Sequence, residues 1–273
     1  MAPEDFAFLA RLLRRRSGLL LPPEKRALIE RRLAPVMRRF DFRDLEGLLR
    51  ELRLGREALA EAVTEAMTVN ESSFFRDAGL FAAFEAHVLP RLLAARAGSR
   101  RLRIWSAAAA CGQEAYSIAI LLSELGLARQ GWTLELVATD LSAEAIARAE
   151  AGRYAACEIE RGLDAQAMRY FRRDGREWQA DAALRRMVSF RRFNLLDSYG
   201  WLDELDIVFC RNVLMYFDRA TRLDVLARMA DAMMQDGVLL LGETETAESP
   251  AFSESGDGDG IYVKGRAALA RIA

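Results

Sequence analysis

Two stretches of this chain bring together side chains that could do chemistry. In Leu205–Asp218, LDIVFCRNVLMYFD, an almost unbroken apolar run stops abruptly on Arg211 and Asn212. Such a run reads as a buried strand. Ligands of open α/β sheets bind at the carboxyl ends of the strands, where this polar pair would sit. The phenol of Tyr216 follows one turn later beside Phe217, and Asp218 is suited to cap a following helix. The second stretch, Thr68–Asp77, reads TVNESSFFRD and carries the same uncommon mixture: an amide, hydroxyls, two aromatic rings and a guanidinium.

Three further strand ends are informative. Trp105–Glu114, WSAAAACGQE, reads as a strand running into a turn and a helix. A cofactor crossing such a turn needs small residues so that the backbone can approach it, and the alanines with Gly112 meet that size condition. Only Gly112 takes a positive φ comfortably. The turn is not a GxGxxG fingerprint, so no pyrophosphate is implied. Asp140 ends VATD, where a carboxylate can accept from both hydroxyls of a ribose; Asp140 or Ser142 can equally cap the next helix. Asn194 and Leu195 end another strand, where an amide and the adjacent backbone can read the rim of a purine. Asp197 can be a simple cap. Phe74 and Phe75 read first as core, at least one of them, and His87, the only histidine, as a surface or packing residue.

The elements that must position these groups fall into two kinds. Residues 1 to about 66 read as helix after helix, with Phe6, Leu9, Leu12 and Leu13 at helical spacing, Pro22-Pro23 opening the next helix, and Leu45, Leu48, Leu49 and Leu52 marking a third. A fourth is expected over Leu59 to Met67. Phe81 to Ala97 is expected as a connecting helix. From Leu102 strands alternate with helices: strands at 102–105, 133–139, 188–193, 206–210, 238–241 and 261–263, helices at 113–125, 142–150 and 219–234, the last ended by Gly237. That alternation predicts a mostly parallel, doubly wound sheet. The stretch from Gly152 to about Phe190 breaks it, being polar and turn-rich with a helix-like piece at Ala165–Phe171. Ser253–Gly260 reads as a loop, because its DGDG lacks the spacing and terminal glutamate of a calcium loop.

The 273 residues suffice for a full α/β domain and a smaller one. No apolar run approaches the ~18 residues that span a bilayer, and MAPEDF lacks a basic start followed by an apolar core, so neither membrane insertion nor a signal peptide is expected. Cys111, Cys157 and Cys210 are scattered and odd in number, as for reduced, mostly buried thiols of a cytoplasmic protein. Without CxxC or a histidine cluster, no metal site is expected. The net charge of -1 argues against a nucleic-acid binder. Arginines nevertheless crowd residues 1–40, among them Arg11, Arg14, Arg15, Arg16, Arg31, Arg32, Arg38 and Arg39. They read either as solvated helix faces or as a docking surface for an acidic partner.

In order, TVNESSFFRD, RIWSAAAACGQEAYSIAI, VATDLSAEAIARAEAGRY, FNLLD, DIVFCRNVLMYFD and LLLGETE resemble the chemotaxis receptor methyltransferases, the CheR family. The likeness spans roughly residues 5 to 265. It implies an α/β fold with a class I (Rossmann-like) S-adenosylmethionine-dependent methyltransferase sheet and an inserted small antiparallel β-subdomain, preceded by an all-α N-terminal domain. The corresponding boundaries are 1–80 for the helical domain, 81–100 for the connecting helix and 101–273 for the methyltransferase domain, with the β-subdomain at about 152–190. The implied activity is O-methylation of glutamate side chains on chemoreceptors, with S-adenosylmethionine as cofactor and S-adenosylhomocysteine as product.

The resemblance also implies roles residue by residue. Asn70, Ser72 and Arg76 match cofactor-contacting positions, Ser72 standing where most members carry threonine. Glu114 is the partner of the cofactor's α-ammonium, while Gln113 replaces the first of the family's two glutamates. Asp140 holds the ribose, and Asn194 and Leu195 the adenine rim. Asn212 and Val213 close the site around the amino-acid moiety. A glutamate is already ionised at neutral pH, so methyl transfer to it needs no general base; the task is to hold oxygen, methyl carbon and sulfur in line. Arg76 can pin the incoming carboxylate or hold that of the cofactor, and Tyr216 can donate its phenol to position the nucleophile. The partner implied is the glutamate-rich cytoplasmic helical domain of chemoreceptors; nothing demands more than a monomer. Some members grip a receptor tether peptide with the β-subdomain. Here RYFRRDGREWQADAALRR is shorter and lacks that version's glycine-rich loop, so independence from a tether is expected. Two rival readings are a related methyltransferase acting on another protein or small acid, and a cofactor-sensing scaffold without turnover.

Overall fold

A computed structural model describes residues 1–265. They form two compact units, residues 1–69 with 215–221, and residues 70–214 with those from 222 onward. The end of the domain expected to run to 273 lies outside the described residues.

The first unit is helical: α1 (Pro3–Ser17), α2 (Arg26–Arg39), α3 (Leu45–Arg53) and α4 (Glu57–Ala66). In α1, Pro3 opens the first turn, Glu4 and Asp5 follow it, and Arg14, Arg15 and Arg16 close the last. That charge order complements the helix dipole. Gly18 ends α1 at φ 74°, and a Cβ there would lie 2.9 Å from the Phe217 ring, so both its conformation and its size are required. Asp44 caps α3 by accepting the Gly47 N–H at 2.8 Å. Leu9, Leu13, Ile29, Leu33, Leu48, Leu59 and Val63 are fully buried in the unit's core, each contributing about 1.5–3 kcal/mol relative to exposure. Arg32 donates to the Met67 and Thr68 carbonyls just beyond α4 at 2.7 and 2.8 Å.

The second unit begins with α5 (Ala78–Ala83), a π-turn (Phe84–Val88) and α6 (Leu89–Ala95), which together make the connecting helix. Pro90 has no N–H to offer the α-pattern, and the π-turn directly before it accommodates the missing bond. By length and composition alone Ala78–Ala95 could cross a membrane, contrary to the expectation that no such segment exists. A third of the segment is buried, with Leu80, Phe81, Phe84, Val88, Leu89 and Leu92 in the core.

Then follow β1 (Arg101–Ala107), α7 (Gln113–Glu124), β2 (Thr133–Asp140), α8 (Ala143–Ala151), β3 (Arg153–Ala155), α9 (Ala156–Gly162), β4 (Phe171–Asp174), β5 (Glu177–Ala180), α10 (Ala182–Arg186), β6 (Val188–Arg192), β7 (Leu205–Cys210), α11 (Arg219–Ala232), β8 (Met233–Leu241), β9 (Phe252–Glu254) and β10 (Ile261–Lys264). The main sheet has the order β6-β2-β1-β7-β8-β10-β9. Its first five strands are parallel and β10 is antiparallel to both neighbours. This is the methyltransferase variant of the doubly wound sheet. A separate antiparallel sheet, β3-β5-β4, is the inserted subdomain.

Several local expectations are corrected. The helix expected to reach Met234 ends at Ala232, and β8 runs through Gly237. A Cβ at Gly237 would meet the Met234 and Leu205 carbonyls at 2.9 and 3.0 Å, beside the register shift between Leu205 and Ile207. That glycine therefore permits close strand approach at an irregularity and does not cap the helix. Of the helix expected at 165–171 only a 3₁₀ turn, Ala167–Tyr170, forms; the regular helix is α9, one segment earlier. β9 was not legible, because Phe252–Glu254 is a short edge strand with one buried side chain.

Candidate active site

The parallel register brings the carboxyl ends of β1, β2, β6, β7 and β8 to one edge, pairing Ala107 with Thr139 and Cys210, and Cys210 with Leu241. The turn after β1 alternates left-handed residues: Ala108 at φ 55°, Ala110 at 48° and Gly112 at 89°. Two alanines thus take the conformation expected only of the glycine, at a cost of about 1–2 kcal/mol each. Hydrogen bonds hold them there. The Ala109 N–H donates to the Thr139 carbonyl at 2.9 Å and the Ala110 N–H to Asp140 Oδ2 at 2.8 Å. Asp140 Oδ1 accepts the Ser142 N–H at 2.9 Å, while Ser142 itself caps α8. Asp140 is therefore the carboxylate that fastens the turn to β2, and Ser142 is the cap. Cys111, inside the turn, has its thiol pKa pushed up by burial, against the pull of the nearby Arg148 guanidinium.

Glu114, in the first turn of α7, is buried. Its Oε1 accepts from the Ser106 hydroxyl at 2.7 Å and its Oε2 from Arg211 Nη1 at 2.9 Å. Arg211 stands where β7 ends, its side chain only 2% exposed. Its Nη2 also donates to the Arg76 carbonyl at 2.5 Å and to Asp77 Oδ2 at 2.6 Å, and its guanidinium lies over the Phe81 ring. Asn212 follows at φ 58°, its N–H donating to Glu245 Oε2 at 2.6 Å; the Gly242 N–H donates to the same oxygen at 3.0 Å. A Cβ on Gly242 would lie 2.6 Å from Asn212 Nδ2, so only glycine leaves room for that amide. Val213 is half-buried.

The segment upstream of α5 is threaded between elements of the same unit. Phe74 is core, its ring edge-on to Tyr154 and Phe171 at 5.0 and 5.3 Å. Phe75, at φ 46°, donates its N–H to Ser117 Oγ at 2.9 Å, and Asp77 is at φ 61°. Asn70 and Ser72 are half-buried; Arg76 is exposed. Asn194 Oδ1 accepts the Leu196 N–H at 3.1 Å, and the buried Leu195 offers its carbonyl to the Tyr199 hydroxyl at 3.0 Å. Tyr216 groups with the helical unit, where its carbonyl accepts the Leu20 N–H at 2.8 Å. His87 is exposed.

Arg211 thus joins two of the sequence-nominated residues, Glu114 and Arg76. In sequence it reads only as half of a polar pair. Asp77 and Glu245 likewise carry no signal beyond being carboxylates inside the motifs TVNESSFFRD and LLLGETE, because their partners lie far away in the chain.

Residues 70–255 match the family described as CheR methyltransferase, SAM binding domain, and residues 4–68 match CheR methyltransferase, all-alpha domain. The chain is 39% identical over 251 residues to chemotaxis protein methyltransferase 1 of Pseudomonas aeruginosa, covering 89% of this chain and 90% of the relative. It is 38% identical to chemotaxis protein methyltransferase Cher2 of Pseudomonas putida, over 88% and 90% of the two chains. The chemotaxis protein methyltransferase of Vibrio parahaemolyticus is 35% identical over 90% of each.

The residues at the sheet edge fit S-adenosylmethionine. Its hydroxyls and ammonium need acceptors, and Asp140 is a carboxylate at the end of β2 and Glu114 one in the first turn of α7. Its carboxylate needs a donor, and Arg76, on the segment tied to the end of β7, presents an exposed guanidinium. The cofactor is S-adenosylmethionine and the activity is methyl transfer in chemotaxis. The chain belongs to the CheR methyltransferase family.

Proposed function

We propose that the protein methylates glutamate side chains on the cytoplasmic helical domain of chemoreceptors, forming glutamyl methyl esters. The observation that carries this reading is the exposed guanidinium of Arg76, mounted on a backbone that Arg211 ties to the cofactor edge of β7. An exposed cation at that edge suits an anionic substrate. S-adenosylmethionine supplies an electrophilic methyl on a sulfonium. Asp140, Asn194 and Leu195 hold its nucleoside end, while Asn70, Ser72, Glu114, Asn212 and Val213 hold its amino-acid end. Arg76 receives either the substrate carboxylate or that of the cofactor, and Tyr216 orients the nucleophile through its phenol. Transfer would join the carboxylate oxygen to the methyl carbon as the carbon–sulfur bond breaks with its electron pair left on sulfur, so these residues need only align the groups and move no proton.

Docking of acidic receptor helices is supported by exposed arginines on the helical unit, Arg11, Arg15, Arg31 and Arg38. Independence from a receptor tether is supported by the tight hairpin between β4 and β5, where only Gly175 and Arg176 intervene. The enzyme acts as a cytoplasmic monomer.

Calorimetry with S-adenosylmethionine and S-adenosylhomocysteine on wild type and Asp140→Ala, followed by methyl incorporation into receptor fragments with wild type and Tyr216→Phe, tests the assignment. Asp140→Ala should lower the thermal midpoint by stranding the Ala110 and Ser142 N–H groups and should lose binding even well below that midpoint, and Tyr216→Phe should reduce turnover at least ten-fold. Wild-type binding without receptor methylation would overturn the substrate assignment, full activity in Tyr216→Phe the role of the phenol, and micromolar affinity for a tether peptide the tether-independent reading.

A further inference from the structure

We propose that Arg211 is a positioning residue for methyl transfer, acting through Arg76 and Glu114 by clamping the Phe74–Asp77 segment to the end of β7 and the start of α7. The proposal rests on the assignment of Arg76 and Glu114 to the cofactor and substrate site.

The geometry makes the clamp specific to arginine. Three acceptors from two distant parts of the chain converge on one guanidinium: Glu114 Oε2 at 2.9 Å, Asp77 Oδ2 at 2.6 Å and the Arg76 carbonyl at 2.5 Å. A planar fork can meet all three at once, whereas a lysine ammonium is a point donor on a flexible stem. The charge is shielded from water, with the side chain 2% exposed and the Phe81 ring beneath it at 5.5 Å. Ion pairs buried this deeply recover little net stability from their own attraction, so a role in holding one arrangement is their better explanation.

That arrangement needs holding. Phe75 and Asp77 both sit in the left-handed region, at φ 46° and 61°, where a non-glycine backbone does not rest unless its surroundings insist. The Phe75 N–H is fixed by Ser117 Oγ; the Asp77 carbonyl accepts the Leu80 and Phe81 N–H groups, while the Arg76 carbonyl and the Asp77 carboxylate both go to Arg211. Releasing Arg211 therefore frees the backbone at the residue whose guanidinium is exposed for the substrate. It also leaves the carboxylate of Glu114 with only Ser106 among the bonds described above.

The test compares Arg211→Lys, Arg211→Met and Asp77→Asn with wild type by thermal midpoint, calorimetric Kd for S-adenosylhomocysteine, and hydrogen exchange of the 74–77 amides, followed by kcat and KM on a receptor fragment. In Arg211→Lys we expect Kd to weaken at least ten-fold, exchange at 74–77 to accelerate, and kcat to fall by a larger factor than KM for the receptor rises. Asp77→Asn removes the charge but keeps an acceptor oxygen, and, measured below its own midpoint, should show the same pattern at a few-fold. A variant that only lowers the midpoint, with Kd, exchange and kcat at wild-type values below it, overturns the proposal. If Arg211→Met fails to fold, wild-type exchange and Kd in Asp77→Asn overturn it equally. The binding and exchange measurements need no receptor, so a wrong receptor substrate and a wrong role for Arg211 give different results.

Discussion

Replacing Gly162 by alanine probes how tightly the site segment is held from its buried side. A Cβ built at Gly162, the last residue of α9, would lie 2.4 Å from the Phe74 carbonyl oxygen and 2.9 Å from Phe74 Cβ. Real Cβ contacts do not come below 3.0 Å, so one backbone must yield by about 0.6 Å. Neither has room. Phe74 is wedged between Tyr154 and Phe171, and α9 is anchored by the fully buried Ile159. Overpacking of this kind costs about 1–3 kcal/mol. At about 2–4 °C per kcal/mol for a domain of this size, the thermal midpoint should fall by about 2–12 °C. The functional effect should exceed the loss of stability. A displacement of about 1 Å at a positioning group can cost about 10²-fold, and the segment that must shift carries Asn70, Ser72 and Arg76. Methyl transfer measured well below the new midpoint should fall about ten-fold or more. Gly79→Ala is the matched control: it lies on α5, meets nothing within 4 Å, and should gain up to about 1 kcal/mol of helix propensity with unchanged turnover. A Gly162→Ala protein with wild-type midpoint and wild-type rate would refute the reasoning.

Other perturbations read the surrounding scaffold. Trp105 is fully buried and donates its indole N–H to Thr139 Oγ1 at 2.9 Å, so Thr139→Val should cost about 1–3 kcal/mol in urea unfolding by stranding that donor, while Thr139→Ser should stay near wild type. Burial pushes the thiols of Cys111 and Cys210 up, whereas Cys157 is exposed; mass analysis after brief iodoacetamide treatment should find one adduct, on Cys157, and equal labelling of Cys111 in the folded protein would contradict the burial described. The Asp236 carboxyl is held below its ordinary range first by its hydrogen bond from Arg96, and that of Glu135 by Arg101. Carboxyls lowered in the folded state contribute stability at neutral pH that is lost as pH falls through and below about 4. Asp236→Asn should therefore lower the midpoint at pH 7 yet flatten its decline towards pH 3; parallel curves for variant and wild type would exclude that contribution.

Much of the architecture was legible because it is locally encoded. The helical spacing of Leu9, Leu12 and Leu13, and the apolar run of Leu205–Cys210 ending on polar residues, are decided by which face each residue must bury, and they appear as the four-helix unit and a strand buried along its whole length. The family and its cofactor were legible for a related reason: a cofactor read at strand ends leaves its requirements in short motifs. Boundaries set by distant partners were less visible. Gly237 reads as a helix stop in isolation, yet it lies in β8 because the Leu205 carbonyl comes within 3.0 Å of where a Cβ would stand.

The sequence by itself determined the element types, the order of the motifs and the chemical groups available at each strand end. Only the tertiary structure decided how those groups are spent. Ala108 and Ala110 accept positive φ because the Thr139 carbonyl and the Asp140 carboxylate, thirty residues downstream, take the Ala109 and Ala110 N–H groups. Glu114 and Arg211 are 97 residues apart, and nothing local to either says that they meet. Strand pairing brings their elements together, and burial then makes leaving either charge unmatched too costly. Propensity and periodicity act over a turn or two of chain, whereas the energy of a buried charge depends on whatever folding places beside it.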